Sequence, residues 1–290
     1  STQAKTLFPY TTLFRSTGVT VNITGSLNGV NASNYSLAAS TSTGNITKKT
    51  LTITANNDAD FAGLTDTGGY SGVTYSGFVA GETSTSLSTL PTLARSNLSV
   101  VAAGTYNGVL VPSGAAASNY SFNYVNGNYT IVPADQLLVK LTSTTQTYGS
   151  AVTYGVQSAK YMWSNDSSVV DLTSSTTVTS AGVVTVNDTV GAASATFNAN
   201  VTGATYSSSG NLNVGSYQFG SSNLVLTNGA RFGSTVNLVG STSMTAKAIT
   251  LSPTISKVYD GTTTISALSG SPTGVVTGDT VQVNGSGSFS

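Results

Sequence analysis

Four short stretches carry the side chains that could do chemistry. Asp166 and Asp171 are separated by Ser-Ser-Val-Val. Glycoside hydrolysis needs such a carboxylate pair, held across a cleft at matched spacing. The local pattern predicts a turn and the strand that follows it, which alone makes no cleft. Asn56-Asn57-Asp58-Ala59-Asp60 puts oxygen side chains at alternate positions, as calcium loops do, but lacks the glycine and distal bidentate glutamate of an EF-hand. A solvated linker is the better expectation there. Tyr259-Asp260-Gly261 sets an acid beside a phenol. An Asx turn closed by Asp260, positive φ at Gly261 and a Tyr259 ring packed into the module beneath account for that triplet without catalysis. Lys257 is near enough in sequence to pair with Asp260, an exposed pair contributing about 0–1 kcal/mol. Trp163, the single tryptophan, follows Tyr161 and Met162. An exposed Tyr/Trp pair stacks on sugar rings; a buried core aromatic is the expectation here. No residue is assigned a catalytic, cofactor-binding or metal-binding role.

Composition narrows the chemistry further. Among 290 residues there is no histidine and no cysteine, and Glu82 is the only glutamate. The side chain best suited to proton transfer near neutral pH is therefore missing, as are disulfides, thiolate metal sites and a cysteine nucleophile. The absence of cysteine also fits an exported bacterial chain that stays unfolded in transit. Charged residues make up 7%, ten basic against ten acidic. No basic surplus exists to hold nucleic acid or an anionic membrane surface, and no apolar run is long enough for a membrane span.

Strands must position whatever these residues do. Ser, Thr, Gly and Asn fill about half the positions, yet 39% of residues are hydrophobic and 14 are tyrosine, which argues against disorder. LTITA (Leu51, Ile53, Ala55) and VTVNDTV (Val184, Val186, Val190) alternate apolar and polar residues with the period of a half-buried strand. YSFNYVNGNYTI predicts two strands joined in a hairpin at Asn126-Gly127, both central residues at positive φ. Val100-Val101 with Val109-Leu110-Val111, and Leu224-Val225-Leu226 before Asn228-Gly229, suggest further hairpins. No convincing amphipathic helix is present, since Pro91 interrupts the brief helical spacing of Leu87 to Ala94.

Repetition organises the chain. Ser33-Asn34-Tyr35-Ser36-Leu37 recurs as Ser118-Asn119-Tyr120-Ser121-Phe122, each followed by a Gly-Asn pair and an alternating strand. Ala103-Gly104-Thr105-Tyr106 is echoed by Val214-Gly215-Ser216-Tyr217, and joints fall near Thr50, Ala134 and Lys247. The opening is different in kind. Thr6 to Ser16, TLFPYTTLFRS, crowds two Phe, a Tyr, a Pro and an Arg into eleven positions, and one choice of codons for it resembles a sequencing-library adapter. Residues 1–16 are accordingly set aside as an artefactual leader. Without Lys5 and Arg15, the ten basic residues become eight against ten acidic.

Two stretches resemble known repeats. Residues 251–289 are similar to the YDG repeat of large bacterial surface proteins related to filamentous haemagglutinin, through Lys257, Tyr259-Asp260-Gly261-Thr262, Gly274-Val275-Val276 and Gly278-Asp279. Residues 51–134 resemble the MBG repeat of the same proteins, through Tyr75-Ser76-Gly77-Phe78, Gly81-Glu82, Gly104-Thr105-Tyr106, Ser118-Asn119-Tyr120 and Tyr129-Thr130-Ile131. They depart from it at Phe61-Ala62-Gly63, where such repeats usually show a Tyr-Gly pair. Residues 137–247 look like a more divergent relative, with Thr147-Tyr148-Gly149-Ser150 near the start.

The expected organisation is a leader (1–16), the C-terminal remnant of a truncated repeat (17–50), an MBG-like repeat (51–134), a divergent MBG-like repeat (135–247) and a truncated YDG-like repeat (248–290). The expected fold is all-β, with tandem small β-sandwich or β-grasp-like modules in an elongated array; a β-helix is the alternative. The resemblance implies a non-enzymatic stalk segment of a secreted adhesin at the bacterial cell surface, with no cofactor. Neighbouring repeats would be its partners, and host or environmental glycans or proteins are further candidates. The rival expectations are a carbohydrate- or calcium-binding β module and, needing clustered carboxylates, a polysaccharide-acting enzyme.

Overall fold

The computed structural model describes residues 16–23, 27, 30–38, 40–79, 81–191, 193–227, 231–252, 255, 257–259, 261 and 263–288. The leader apart from Ser16, the Asn228-Gly229 turn, Asp260 and Thr262 lie outside these residues. Among the described residues the regular structure is strand, interrupted by 3-10 turns at Ala32–Asn34, Ser84–Ser86 and Thr173–Ser175, with no α-helix.

Strands β1 (Ser16–Ile23) and β2 (Ser40–Ile46) form an antiparallel pair. A first unit follows: β3 (Lys49–Ala55), β4 (Asp58–Phe61), β5 (Val73–Ser76), β6 (Thr92–Arg95), β7 (Gly104–Ser113), β8 (Tyr120–Val125) and β9 (Gly127–Val132). The second unit contains β10 (Leu137–Leu141), β11 (Thr144–Thr147), β12 (Val156–Met162), β13 (Val169–Asp171) and β14 (Thr176–Val178). It continues with β15 (Val183–Asp188), β16 (Ala193–Thr202), β17 (Gly215–Thr227), β18 (Val236–Val239) and β19 (Ser241–Thr245). Strands β20 (Thr264–Gly270) and β21 (Val283–Ser288) pair antiparallel at the end.

The two units share one plan. Sheet orders are β5-β3-β8 and β4-β9-β7-β6 in the first, and β13-β12-β10-β18 and β11-β19-β17-β16-β15-β14 in the second. Laying β3 on β10, β4 on β11, β5 on β12, β6 on β16, β7 on β17, β8 on β18 and β9 on β19 matches the orders. The second unit adds β13, β14 and β15. In each, the first strand crosses from one sheet into the other, and the last strand runs beside it, parallel, through both. Parallel neighbours cannot be joined by a tight turn, so the rest of the unit serves as their connection. The chain enters each unit at one end of this pair and leaves at the other. Antiparallel neighbours such as β7 and β9, or β15 and β16, set the β-helix alternative aside.

Crossing between sheets side by side brings backbone against backbone. A Cβ on Gly127 would lie 2.7 Å from the Ala55 carbonyl oxygen and 2.9 Å from that of Asn56, at the corner of the neighbouring strand. Gly240 occupies the matching corner, where a Cβ would lie 2.7 Å from the Leu141 carbonyl oxygen. The hairpin expected at Asn126-Gly127 is therefore corrected. Strands β8 and β9 belong to different sheets, and neither residue adopts positive φ. Glycine is needed there for close approach. Gly127→Ala is expected to force the corner apart and to cost about 1–3 kcal/mol, read as a lower denaturation midpoint of the full chain. The hairpin suggested by Val100-Val101 with Val109-Leu110-Val111 is corrected as well. Val100-Val101 lies outside the strands, and β7 pairs with β6. Leu224–Leu226 sits within β17, whose partners are β16 and β19.

Burial follows the alternation where strands exist. Leu51, Ile53 and Ala55 are buried, as are Val184 and Val186, whereas Val190 lies past the end of β15 and is exposed. The second unit is a sandwich, with Leu137, Val139 and Tyr161 of one sheet facing Val184, Phe197 and Phe219 of the other. In the first unit Leu51, Ile53 and Tyr120 cluster within the β5-β3-β8 sheet, while Ala55 at the end of β3 joins Leu110, Tyr129 and Ile131 of the other sheet in a second cluster. Gly104-Thr105-Tyr106 and Gly215-Ser216-Tyr217 are structural equivalents. Each tyrosine donates its hydroxyl to the carbonyl four residues upstream, Tyr106 to Ala102 at 2.8 Å and Tyr217 to Asn213 at 2.9 Å.

Two tyrosines break the pattern. Tyr120 is buried and donates its hydroxyl to Glu82, yet Tyr35 in the same Ser-Asn-Tyr motif is 73% exposed. Tyr259 was expected to pack beneath its turn, but it is 93% exposed. Among the described residues the strand that follows it is β20, in a two-stranded sheet with β21, and such a pair has little surface to cover a large ring. Gly261 does take positive φ, at +79°.

Candidate functional site

The densest polar cluster belongs to the first unit. Alternation in Thr92-Leu93-Ala94-Arg95 sends Arg95 inward with Leu93, and it is buried. Its Nε donates to Asn97 Oδ1 at 2.8 Å, one terminal nitrogen to Asp66 Oδ2 at 3.0 Å and the other to the Val100 carbonyl at 2.6 Å. The guanidinium stacks 4.3 Å from the centre of the Tyr129 ring. Asp66 also accepts from the Gly68 amide at 2.9 Å and the Tyr70 hydroxyl at 3.0 Å. A cavity of about 300 Å³ opens beside this cluster, between Asp60, Leu64, Leu98 and Ile131.

The electrostatics describe a fastener. Burial pushes the Asp66 carboxyl up, but the Gly68 amide, Arg95 and Tyr70 outweigh it and hold the group below its ordinary value. Burial, then the bond to Asp66, pushes Tyr70 up to about 12, and burial likewise raises Tyr129. Acid–base catalysis wants groups poised near the working pH. These shifts all run away from neutrality.

A pH dependence follows. Unfolded tyrosines ionise near 10, while the folded unit keeps both phenols protonated to higher pH. Their contribution is complete below pH 10; that of Tyr70 is lost as pH rises from 10 through about 12, and that of Tyr129 falls in the same direction. The melting temperature should fall across that window, and it should fall less steeply in a Tyr70→Phe variant.

A second polar cluster joins the two units. The solvated linker expected over Asn56–Asp60 is overturned, since Asn56 and Asp58 are buried at the corner where β3 passes into β4. Asp58 accepts from the amides of Ala59 at 2.7 Å and Ser71 at 2.8 Å, and Lys140 Nζ lies 2.6 Å away. The carboxylate thus has an ammonium for its cation, where the calcium expectation would place a metal ion. The Asn57 amide donates to Gln218 Oε1 at 3.1 Å. Around these contacts Ala59, Phe61 and Val132 pack on Leu138, Met162 and Val239 of the second unit.

The junction beyond the second unit joins residues of two sequence motifs. The Ala62 amide donates to the Val132 carbonyl at 2.8 Å, just as Tyr148 does to Thr245 at 2.8 Å. Ala62-Gly63 therefore occupies the place of Tyr148-Gly149, and the strand leading into the first unit is present despite the missing tyrosine. Tyr148 donates to Asp279 Oδ2 at 2.5 Å and Ser209 to Oδ1 at 2.5 Å. The Ser209 bond first, then the Tyr148 bond, holds the Asp279 carboxyl below its ordinary value. Val276 sits so close over Gly149 that a Cβ there would meet it at 2.5 Å.

Asp166 and Asp171 fall on a turn and a strand end, as their spacing suggests. Asp166 accepts from the Ser168 amide at 2.9 Å, and Asp171 accepts from the Thr173 amide at 2.9 Å and pairs with Lys160 at 3.2 Å. Hydrogen bonds from Ser168 and Thr173 hold these carboxyls below their ordinary values. Trp163 is half-buried against the second core, with Arg231 4.4 Å over its ring. Its face is taken, so it offers no open platform for a sugar. Among the described residues no three Asp, Glu, His or Cys side chains gather closely enough to hold a metal ion.

Of the residues that carry the clusters, sequence reasoning singled out Asp58, Tyr148 and Asp279 within motifs and missed Arg95, Asp66, Tyr70 and Lys140. A signal existed for Arg95, because a cation at an inward position of an alternating strand in a chain this poor in charge needs a partner.

These features define an all-β protein of tandem modules held by a few internal ion pairs. Residues 51–130 match the family profile described as MBG domain (YGX type), and residues 245–290 match that of the YDG domain. Each match says what that part of the chain is similar to, and together the two cover less than half of it. Neither a curated protein nor a solved structure matches it.

Proposed function

We propose that this chain is a non-enzymatic stalk segment of a secreted bacterial surface adhesin, projecting a binding region from the cell. Residues 135–247 are taken as a divergent MBG-like repeat. One observation carries the proposal: two successive units share a strand order in which the chain enters at one end of a parallel pair and leaves at the other. Such units extend a chain as they are added. The charged groups support the same reading, since Arg95–Asp66 fastens one unit and Lys140–Asp58 joins it to the next.

The test is display. The full chain is placed between an outer-membrane anchor and a known binding tip, and adhesion of capsulated cells to a ligand-coated surface is measured. Adhesion should exceed that of the tip fused directly to the anchor. Equal adhesion would overturn the stalk. Saturable binding of the full chain to a glycan array or to calcium would favour the ligand-binding module instead.

A further inference from the structure

We infer that each unit is a direction-dependent mechanical clamp, strong when pulled from its first strand to its last and weak when those strands are peeled from a common end. The clamp follows from the fold, and it rests on the stalk proposal only for its use in the cell. In the first unit β3 and β8 stay in parallel register from Lys49–Tyr120 to Thr54–Val125, and β4 and β9 from Asp58–Tyr129 to Phe61–Val132. In the second, β10 and β18 run from Leu137–Val236 to Lys140–Val239, and β11 and β19 from Thr144–Thr242 to Thr147–Thr245. Tension along the chain pulls the first strand backward and the last strand forward. The ladder bonds then lie across the pull and are strained together. A slip of one residue would also turn every inward side chain to the opposite face. Peeling from one end instead breaks the bonds one at a time.

The corner glycines make this arrangement continuous, because only they let the two strands remain adjacent where both change sheet. A row of hydroxyls reinforces the second unit. Ser241, Thr242 and Ser243 of β19 are buried, unusual for three successive polar residues. All three bond across to the first strand: Ser241 Oγ to Ser143 Oγ at 2.9 Å, Thr242 Oγ1 to Gln146 Oε1 at 2.9 Å and Ser243 Oγ to Thr145 Oγ at 2.9 Å. Thr245 Oγ1 adds a bond to the Gln146 carbonyl at 3.0 Å. The Ser/Thr richness of the chain thus has a local use, as rungs beside the backbone ladder.

Since the chain has no cysteine, paired cysteines can serve as its only handles for single-molecule pulling. Gln136→Cys with Ala246→Cys loads the second unit along its strands, and Gln136→Cys with Ser234→Cys peels the same strands from their shared end. At one loading rate the first pair should rupture at about twice the force of the second or more, because forced unfolding reads the unfolding barrier. Thr242→Val should lower the first force and leave the second unchanged. Equal forces in the two directions would overturn the clamp. Lys48→Cys with Ala134→Cys against Lys48→Cys with Ser118→Cys repeats the comparison on the first unit, should a handle in the second impair folding. A failed clamp leaves the adhesion test standing, since a spacer can project without resisting load.

Discussion

Replacing Arg95 with methionine is expected to cost the first unit about 3–5 kcal/mol, the usual penalty for removing one partner of a buried ion pair. Methionine keeps an apolar stem against Tyr129 but donates nothing. Asp66 would lose its cation, and the Asn97 side chain and Val100 carbonyl would lose the donors that now meet them at 2.8 and 2.6 Å. Asn97 and Val100 are half-buried, so these unmet acceptors add toward the low end of about 1–3 kcal/mol each. Against a total of about 5–15 kcal/mol for an ordinary domain, this is enough to leave the unit marginal. Calorimetry of the full chain should show the transition of the first unit lowered by about 15–25 °C. A shift of only a few degrees would mean that Arg95 is not a structural fastener. Asp66→Asn should cost less, since Arg95 would keep its bonds to Asn97 and Val100.

Lys140→Met should uncouple the two units. The ammonium lies 2.6 Å from Asp58, whose side chain is only 6% exposed, and without it the carboxylate keeps the Ala59 and Ser71 amides but no countercharge. A loss of about 3 kcal/mol is expected. Because Asp58 and Lys140 belong to different units, the loss falls on their junction, and their thermal transitions should move apart. The double variant Asp58→Leu with Lys140→Met should recover most of the loss, since a buried pair replaced by apolar side chains is often neutral. A double-mutant cycle measures the coupling directly. If the two single losses simply add, the ion pair does not join the units.

Much of the fold was legible. Alternation marked Leu51, Ile53, Val184 and Val186 as inward residues, and the echoed motifs at Tyr106 and Tyr217 make the same hydrogen bond to the carbonyl four residues upstream. Motif spacing also placed Asp166 and Asp171 correctly on a turn and a strand end. The misreadings have a common physical origin. Asn126-Gly127 has hairpin chemistry, but its glycine is required by the neighbouring corner at Ala55 and Asn56, more than 70 residues away. Asn56–Asp60 is polar enough for a linker, and only the approach of Ser71 and Lys140 makes burial of Asp58 tolerable. Tyr259 resembles a core tyrosine until its neighbours are seen not to cover it.

By itself the sequence determined an all-β chain of repeated modules without histidine or cysteine chemistry, because composition, period-two alternation and motif echoes are local properties. Tertiary structure alone decided which strands became neighbours, which acids met Arg95 and Lys140, and where hydroxyls could form rungs. The strand neighbours, the Lys140–Asp58 pair and the rungs depend on pairing of segments about 70 to 100 residues apart, such as Lys49 with Tyr120 and Lys140 with Val239. No local pattern encodes a partner at that distance.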